Sequence, residues 1–201
     1  MAGGRPRTFD ADASLDRAVD VFWQQGYEGT TISELTAAMG VNKPSLYAVF
    51  GTKEQLFQQV VRRYAERELA YFGEALAQPT AVEVVRDYLD RNAAALTRSD
   101  RPRGCLSIQG GLASNPANST VTQFLASSRL AGERALAARL TQARIDGDLP
   151  ADSDPAALAR FVMVVSEGQA VHAAAGATHQ ELQQSADIAL KAFELALTPA
   201  S

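Results

Sequence analysis

Apolar residues recur along this chain at the spacing of an α-helix, and the strict alternation of a strand is hard to find. Leu15, Ala18, Val19, Phe22 and Trp23 make an i, i+3, i+4, i+7, i+8 stripe, entered from Asp10 and Asp12, which suit a helix N-terminus, and ended by Gly26. Thr30 and Thr31 open a second helix with Ile32, Leu35 and Met39 on one face, and Thr31-x-x-Glu34 has the spacing of a capping box. Gly40 stops that helix after about two turns. A third helix takes Asn42 as cap and Pro44 in its first turn, turns Leu46 and Phe50 inward and ends at Gly51. Thr52 then caps a fourth, in which Leu56, Val60, Tyr64, Tyr71, Phe72 and Leu76 recur without a break as far as Pro79.

From Thr80 onward the pattern is longer and richer in alanine and predicts helices over 80–98, 105–114, 118–146, 155–175 and 179–197. "RSDRPRG" (98–104) and "DGDLPADSDP" (146–155) read as loops, the second ending in Asp154 as cap and Pro155 as first helical residue. The expectation is an all-α chain: an N-terminal three-helix head over 1–52, and a helical domain over 53–201 whose first helix, near 53–77, bridges the two.

Composition narrows the function classes. At 21% charged and 46% hydrophobic the 201 residues resemble an ordinary globular protein. No run approaches the roughly 18 apolar residues of a membrane helix, and "MAGGRPRTFD" lacks the apolar stretch of a signal peptide, so a cytoplasmic protein with no membrane partner is expected. The single cysteine, Cys105, excludes an internal disulfide framework. A formal net charge of −4 means that any nucleic-acid site must rest on the placement of a few groups rather than on bulk charge. Within residues 1–53, Asp10, Asp12, Asp16, Asp20, Glu28 and Glu34 even outnumber Arg5, Arg7, Arg17, Lys43 and Lys53.

Two-turn helices are marginal in water, so the second and third persist only by packing on the first and fourth. A helix, a glycine-containing turn and a second helix then match the helix-turn-helix pattern, whose second helix enters the DNA major groove. With Leu46 and Phe50 inward, Asn42, Lys43, Pro44, Ser45, Tyr47 and Ala48 remain outside. The stretch "GYEGTTISELTAAMGVNKPSLYAVFGTKEQLF" resembles the DNA-binding signature of the TetR family of bacterial repressors: Gly26 and Tyr27, the paired threonines, the Gly40-Val41 turn, Leu46, Tyr47, Phe50 and Lys53. The resemblance covers residues 12–57 and implies that Thr31, Tyr47 and Lys53 contact phosphates. It also implies that Lys43, Ser45 and Ala48, with Asn42 and Pro44 nearby, face base edges of a double-stranded operator. Arg5 and Arg7 resemble an arm along a minor groove.

A symmetric dimer would read two half-sites about 34–36 Å apart, which makes a homodimer the expected state. Phe161, Val162 and Val165 with Ile188, Ala189, Phe193 and Leu197 are the candidate interface, and the same stripes would serve equally as the domain's own core. A small apolar or aromatic effector is the expected second partner, with Tyr71, Phe72, Tyr88, Cys105, Ile108, Gln109, Leu112, Phe124, Met163, Glu167 and His172 as candidate lining. The family also implies the sign of regulation, release from DNA on effector binding. Cys105, with Arg101 and Arg103 close in sequence, opens an alternative: a thiol-based redox-responsive regulator. Cys105, His172 and His179 lack metal-ligand spacing, and neither a metal nor a cofactor is expected. No phosphate loop, HExxH or paired nucleophile is present, so an enzyme is a remote alternative, as is a helical binding module without DNA.

Overall fold

The computed structural model describes residues 10–112 and 119–198, and among these residues all regular structure is helical. The helices are α1 (Ala11–Gly29), α2 (Ile32–Met39), α3 (Lys43–Phe50), α4 (Lys53–Glu68), α5 (Ala70–Leu76), α6 (Ala81–Leu96), α7 (Leu106–Leu112), α8 (Ser119–Ile145), α9 (Pro155–Ala174) and α10 (His179–Ala196). An N-terminal helix-turn-helix is followed by a C-terminal helical domain, in which α8 packs along α9 and α10 along α6.

The head is built from short-range signals. The Glu34 amide donates to Thr31 Oγ1 at 3.2 Å while the Thr31 amide donates to Glu34 Oε2 at 2.8 Å, a closed capping box on α2. The same reciprocal pair joins Thr52 and Gln55 at α4. Ser14 Oγ and Arg17 Nη2 both donate to the Met39 carbonyl, at 3.2 and 3.0 Å, which docks the end of α2 onto α1. Phe22 packs edge-on to Phe57 with ring centroids 5.0 Å apart, and Trp23 edge-on to Tyr64 at 4.8 Å, so the core of the head is shared with α4.

Two hydrophobic clusters organise the chain. One joins α1–α4 to Ala93, Leu96, Leu106, Val121, Leu125 and Ala170, so the head and the larger domain share buried contacts. The other lies among α5, α6, α8, α9 and α10, around Val85, Leu89, Leu136, Leu140, Val162 and Phe193.

Two expectations change. Helical hydrogen bonding resumes beyond Gly26 as far as Gly29, with a kink at Gly26 itself (φ 69°, ψ 176°). The fourth helix is not continuous to Pro79: it breaks at Leu69 (φ −111°, ψ 12°) into α4 and α5. The stripe could not reveal this, because Tyr64 and Tyr71 are seven residues apart and keep one face either way. Tertiary bonds account for the turn: Arg98 and Arg101 both bind the Glu68 carboxylate at 3.3 Å, and Tyr71 OH donates to Asn92 Oδ1 at 2.9 Å, turning α5 onto α6.

Candidate nucleic-acid interface and internal cavity

The Ser45 amide donates to Asn42 Oδ1 at 2.8 Å, which caps α3 and commits the Asn42 oxygen, leaving its amide nitrogen outward. Leu46 and Phe50 are buried against the head. Asn42, Lys43, Pro44, Tyr47 and Ala48 are exposed and Ser45 is half-buried, so α3 presents one contiguous polar and small-residue face. Val49, 48% exposed, extends that face one turn beyond Ser45 and was not among the residues that the sequence placed outside.

Gly51 lies between α3 and α4 at φ 77°, ψ −145°, and a Cβ there would stand 2.0 Å from Gln55 Oε1, the atom that caps α4. The Phe50 carbonyl accepts from Gln59 Nε2 at 3.1 Å, so α3 is tied to α4 at its far end as well.

Thr31 and Lys53 are placed differently from a bare phosphate clamp. Thr31 Oγ1 donates to Glu34 Oε2 at 2.7 Å, and bonds from the Thr31 side chain and backbone hold the Glu34 carboxyl below its ordinary range. Lys53 Nζ sits 4.4 Å from the centre of the Tyr27 ring. Burial pulls the Lys53 pKa down, while Glu28 and Glu34 push it back up. Thr31, Glu34, Tyr27, Glu28 and Lys53 therefore meet at the junction of α1, α2 and α4. Arg5 and Arg7 lie outside the described residues.

Three acids at α1 are engaged within the protein. Asp16 binds Arg63 at 2.8 Å and Arg67 at 2.6 Å, both on α4, and these bonds, led by the one from Arg63, hold its carboxyl below the usual range. Asp10 caps α1, and Asp20 faces Arg101 at 3.6 Å. These three acids are thus spent on a cap and on fastening α1 to its neighbours.

Below the head a cavity of about 210 Å³ opens among α4–α9. Tyr71, Phe72, Tyr88, Cys105, Ile108, Phe124, Met163 and Glu167 line it, as the sequence suggested. Gln109 is not in the wall and packs beside Gly104, while His172 is exposed in the last turn of α9. Leu112 belongs to α7, but its side chain is outside what the structure describes. The reading missed Val61, Arg62, Ala65 and Leu69 of α4 and the junction after it, Asn92 of α6, Ser107 of α7, Ser128, Arg129 and Gly132 of α8, and Ser166 and Ala170 of α9. A signal existed for two of them: Asn92 and Ser166 are polar residues set on otherwise apolar stripes.

Those polar residues are mutually satisfied. Tyr88 OH donates to Ser166 Oγ at 2.9 Å; Asn92 Nδ2 donates to Gln169 Oε1 at 2.6 Å; Gln169 Nε2 donates to the Leu182 carbonyl at 3.1 Å. With the Tyr71–Asn92 bond, one network crosses α5, α6, α9 and α10. Burial pushes the Tyr71 and Tyr88 phenols well above their ordinary value, so both are neutral donors. Burial also pushes the Glu167 carboxyl up, against a smaller downward pull from Arg129.

The loop before α7 connects this cavity to the head. Trp23 Nε1 donates to the Gly104 carbonyl at 3.2 Å, next to Cys105 in the cavity wall. Gly104 has φ +84°, and a Cβ on it would meet the Ala170 carbonyl at 3.1 Å and Ala174 Cβ at 3.0 Å, so only glycine lets the loop lie this close to α9. Arg103 donates to the Gly176 and Ala177 carbonyls, and Arg101 binds Asp20 and Glu68. Both guanidinium groups are thus engaged with other partners, and the Cys105 thiol is buried.

The candidate dimer stripe also needs correction. Val162, Ala189 and Phe193 are buried in the protomer's own core, and Val165 and Leu197 pack partly against it. The outward apolar positions are Phe161, Val164 and Val171 on α9 and Ile188 and Leu195 on α10. Both helices carry two apolar stripes, and the sequence alone does not say which one a neighbouring helix covers.

Comparison with known proteins agrees with this arrangement. Residues 15–60 match the family described as bacterial regulatory proteins, tetR family, and residues 81–189 match the tetracyclin repressor-like C-terminal domain. The HTH-type transcriptional repressor ComR of Escherichia coli (strain K12) is 35% identical over 94% of this chain and 90% of its own length. The HTH-type regulator YezE of Bacillus subtilis (strain 168) is 31% identical over 95% of this chain and 100% of its own. The TetR family regulator CifR, solved as a cysteine mutant complexed with 26-bp double-strand operator DNA, superposes with a TM-score of 0.89 at 38% identity, covering 94% of this chain and 99% of that one. These relatives are regulators rather than enzymes, and this chain belongs to the TetR family of bacterial DNA-binding transcriptional regulators.

Proposed function

We propose that this protein is a repressor that binds a palindromic operator as a homodimer and is released by a small molecule in the cavity between α4 and α9. One observation carries the reading: α4 holds the head through Leu56, Phe57 and Val60, and lines the cavity from the next residue onward through Val61, Arg62 and Ala65. A helix shared in this way couples the two ends, because any effector that prefers one tilt of α4 shifts the position of α3 by its differential affinity. Two relatives add support, since ComR is named a repressor and CifR was captured on operator DNA.

In this reading the head (1–52) reads DNA and residues 53–201 receive the signal and dimerise. Lys43, Pro44, Ser45 and Ala48, with the Asn42 amide, face base edges, while Thr31, Tyr47 and Lys53 meet phosphates, Lys53 by exchanging the Tyr27 ring for the backbone. Phe161, Val164, Val171, Ile188 and Leu195 form the two-fold contact. The test is selection of operator fragments from genomic DNA followed by fluorescence anisotropy. Lys43→Ala should relax preference at one or two base positions at a cost of about 1–3 kcal/mol, whereas Lys53→Ala should weaken all sequences alike. Sequence-blind binding by the native protein, or a monomer in light scattering at operator-binding concentrations, would overturn the proposal.

A further inference from the structure

The cavity wall contains two arginines with no ion-pair or hydrogen-bond partner among the described residues. Of the three arginines in the middle of α4, Arg63 and Arg67 are both bound to Asp16. Arg62 has no ion-pair or hydrogen-bond partner among the described residues; its guanidinium lies 5.7 Å from the centre of the Phe124 ring, in the cavity wall. Arg129 of α8, also in the wall, makes no ion pair or hydrogen bond among the described residues, and every Asp and Glu of the sequence lies within them. The one carboxylate of the wall is Glu167, which feels Arg129 beyond ion-pair distance and is itself held toward its neutral form by burial. Tyr71 and Tyr88 are neutral, so the lining keeps about one net positive charge in an otherwise apolar space.

The other polar groups do not ask for a ligand. Tyr71, Tyr88, Asn92 and Ser166 bond one another and the backbone. Arg62 and Ala65 are the exposed members of the wall, which puts the positive end toward solvent and Leu69, Phe72, Ile108 and Met163 inside. At 210 Å³ the space exceeds the ~150 Å³ that admits a benzene molecule.

Building on the reading that this cavity receives the effector, we infer that the effector is a small amphipathic anion: a single-ring or branched apolar body with a carboxylate held between Arg62 of α4 and Arg129 of α8. A planar guanidinium fits a carboxylate with two parallel hydrogen bonds, and half-buried Arg129 offers them where solvent screens less than at exposed Arg62. The anion also links α4, which carries the head, to α8, which does not.

The test is calorimetric titration of the full-length protein with three probes of one shape: phenylacetate, phenylacetamide and phenethylamine. Phenylacetate should bind at least about tenfold more tightly than the amide, and the amine most weakly. Arg62→Gln and Arg129→Gln should each shrink the carboxylate-over-amide ratio to under about threefold, and Arg62→Lys should restore part of it as a point charge. Thermal unfolding checks that each variant is folded. Equal binding of the amide, tighter binding of the amine, a ratio that survives both glutamine variants, or no binding of phenylacetate at millimolar concentration would each overturn the inference. Anisotropy with operator DNA separates this outcome from the broader reading. Release by all three probes alike would leave a ligand-responsive repressor without an anion site. Arginine-dependent phenylacetate binding that leaves the operator complex intact would leave an anion site that does not regulate.

Discussion

The head and the cavity region hold themselves together over different distances along the chain. In the head the capping bonds that end its short helices join residues three apart: Thr31 to Glu34, Asn42 to Ser45 and Thr52 to Gln55. Around the cavity they join distant residues, Tyr88 to Ser166 across 78 positions and Asn92 to Gln169 across 77. The head can therefore hold α3 fixed relative to α1 and the start of α4, because each of its short helices is terminated locally and clamped on α1 and α4. The cavity walls depend on packing among five or more helices.

The contrast can be broken by mutation. Leu46→Ala should have the largest effect, about 2–5 kcal/mol of stability by denaturant unfolding, with operator binding lost as well, since a fully buried side chain anchors α3. Gly51→Ala should cost about 1–3 kcal/mol through its positive φ and the displaced Gln55 cap, and should weaken operator binding more than ligand binding. Ser166→Ala removes a buried acceptor from Tyr88 OH at a cost of about 1–3 kcal/mol, and should change ligand affinity with little change in DNA affinity. If Ser166→Ala damaged DNA binding as much as Gly51→Ala, the two regions would not be separable.

Asp16→Asn should have the smallest effect, under about 1 kcal/mol because the pair is partly exposed and screened. The folded pKa of Asp16 lies below its unfolded value, chiefly through the Arg63 bond. Its stabilisation is therefore present above the ordinary carboxylate range and is lost as pH falls through the depressed folded value. Urea unfolding should show native and variant protein converging in acid; a gap that persisted there would mean that Asp16 acts through something other than its charge.

Much of this molecule was legible because its signals are local. Stripes of apolar residues at helical spacing, Thr-x-x-Glu boxes, Asn42 before Pro44 and Asp154 before Pro155 each act within one turn, so α2, α3, α6, α9 and α10 start where their caps stand. Where the reading fell short, two conformations shared one pattern. The stripe through Tyr64 and Tyr71 suits both an unbroken helix and one broken at Leu69, and α9 and α10 each offer two apolar faces of which only one meets the core.

The sequence by itself determined the helices, the head and the exposed face of α3, because capping and periodicity are decided within a few residues of each other. Only the tertiary structure decided that Lys53 rests on Tyr27, that Asp16 is bound by the arginines of α4, and that Arg62 lies in a cavity wall with no ion-pair or hydrogen-bond partner among the described residues. Each of these depends on which charged or aromatic group arrives from another helix, and Coulombic and dispersion energies act on distance in space, which linear spacing along the chain does not encode.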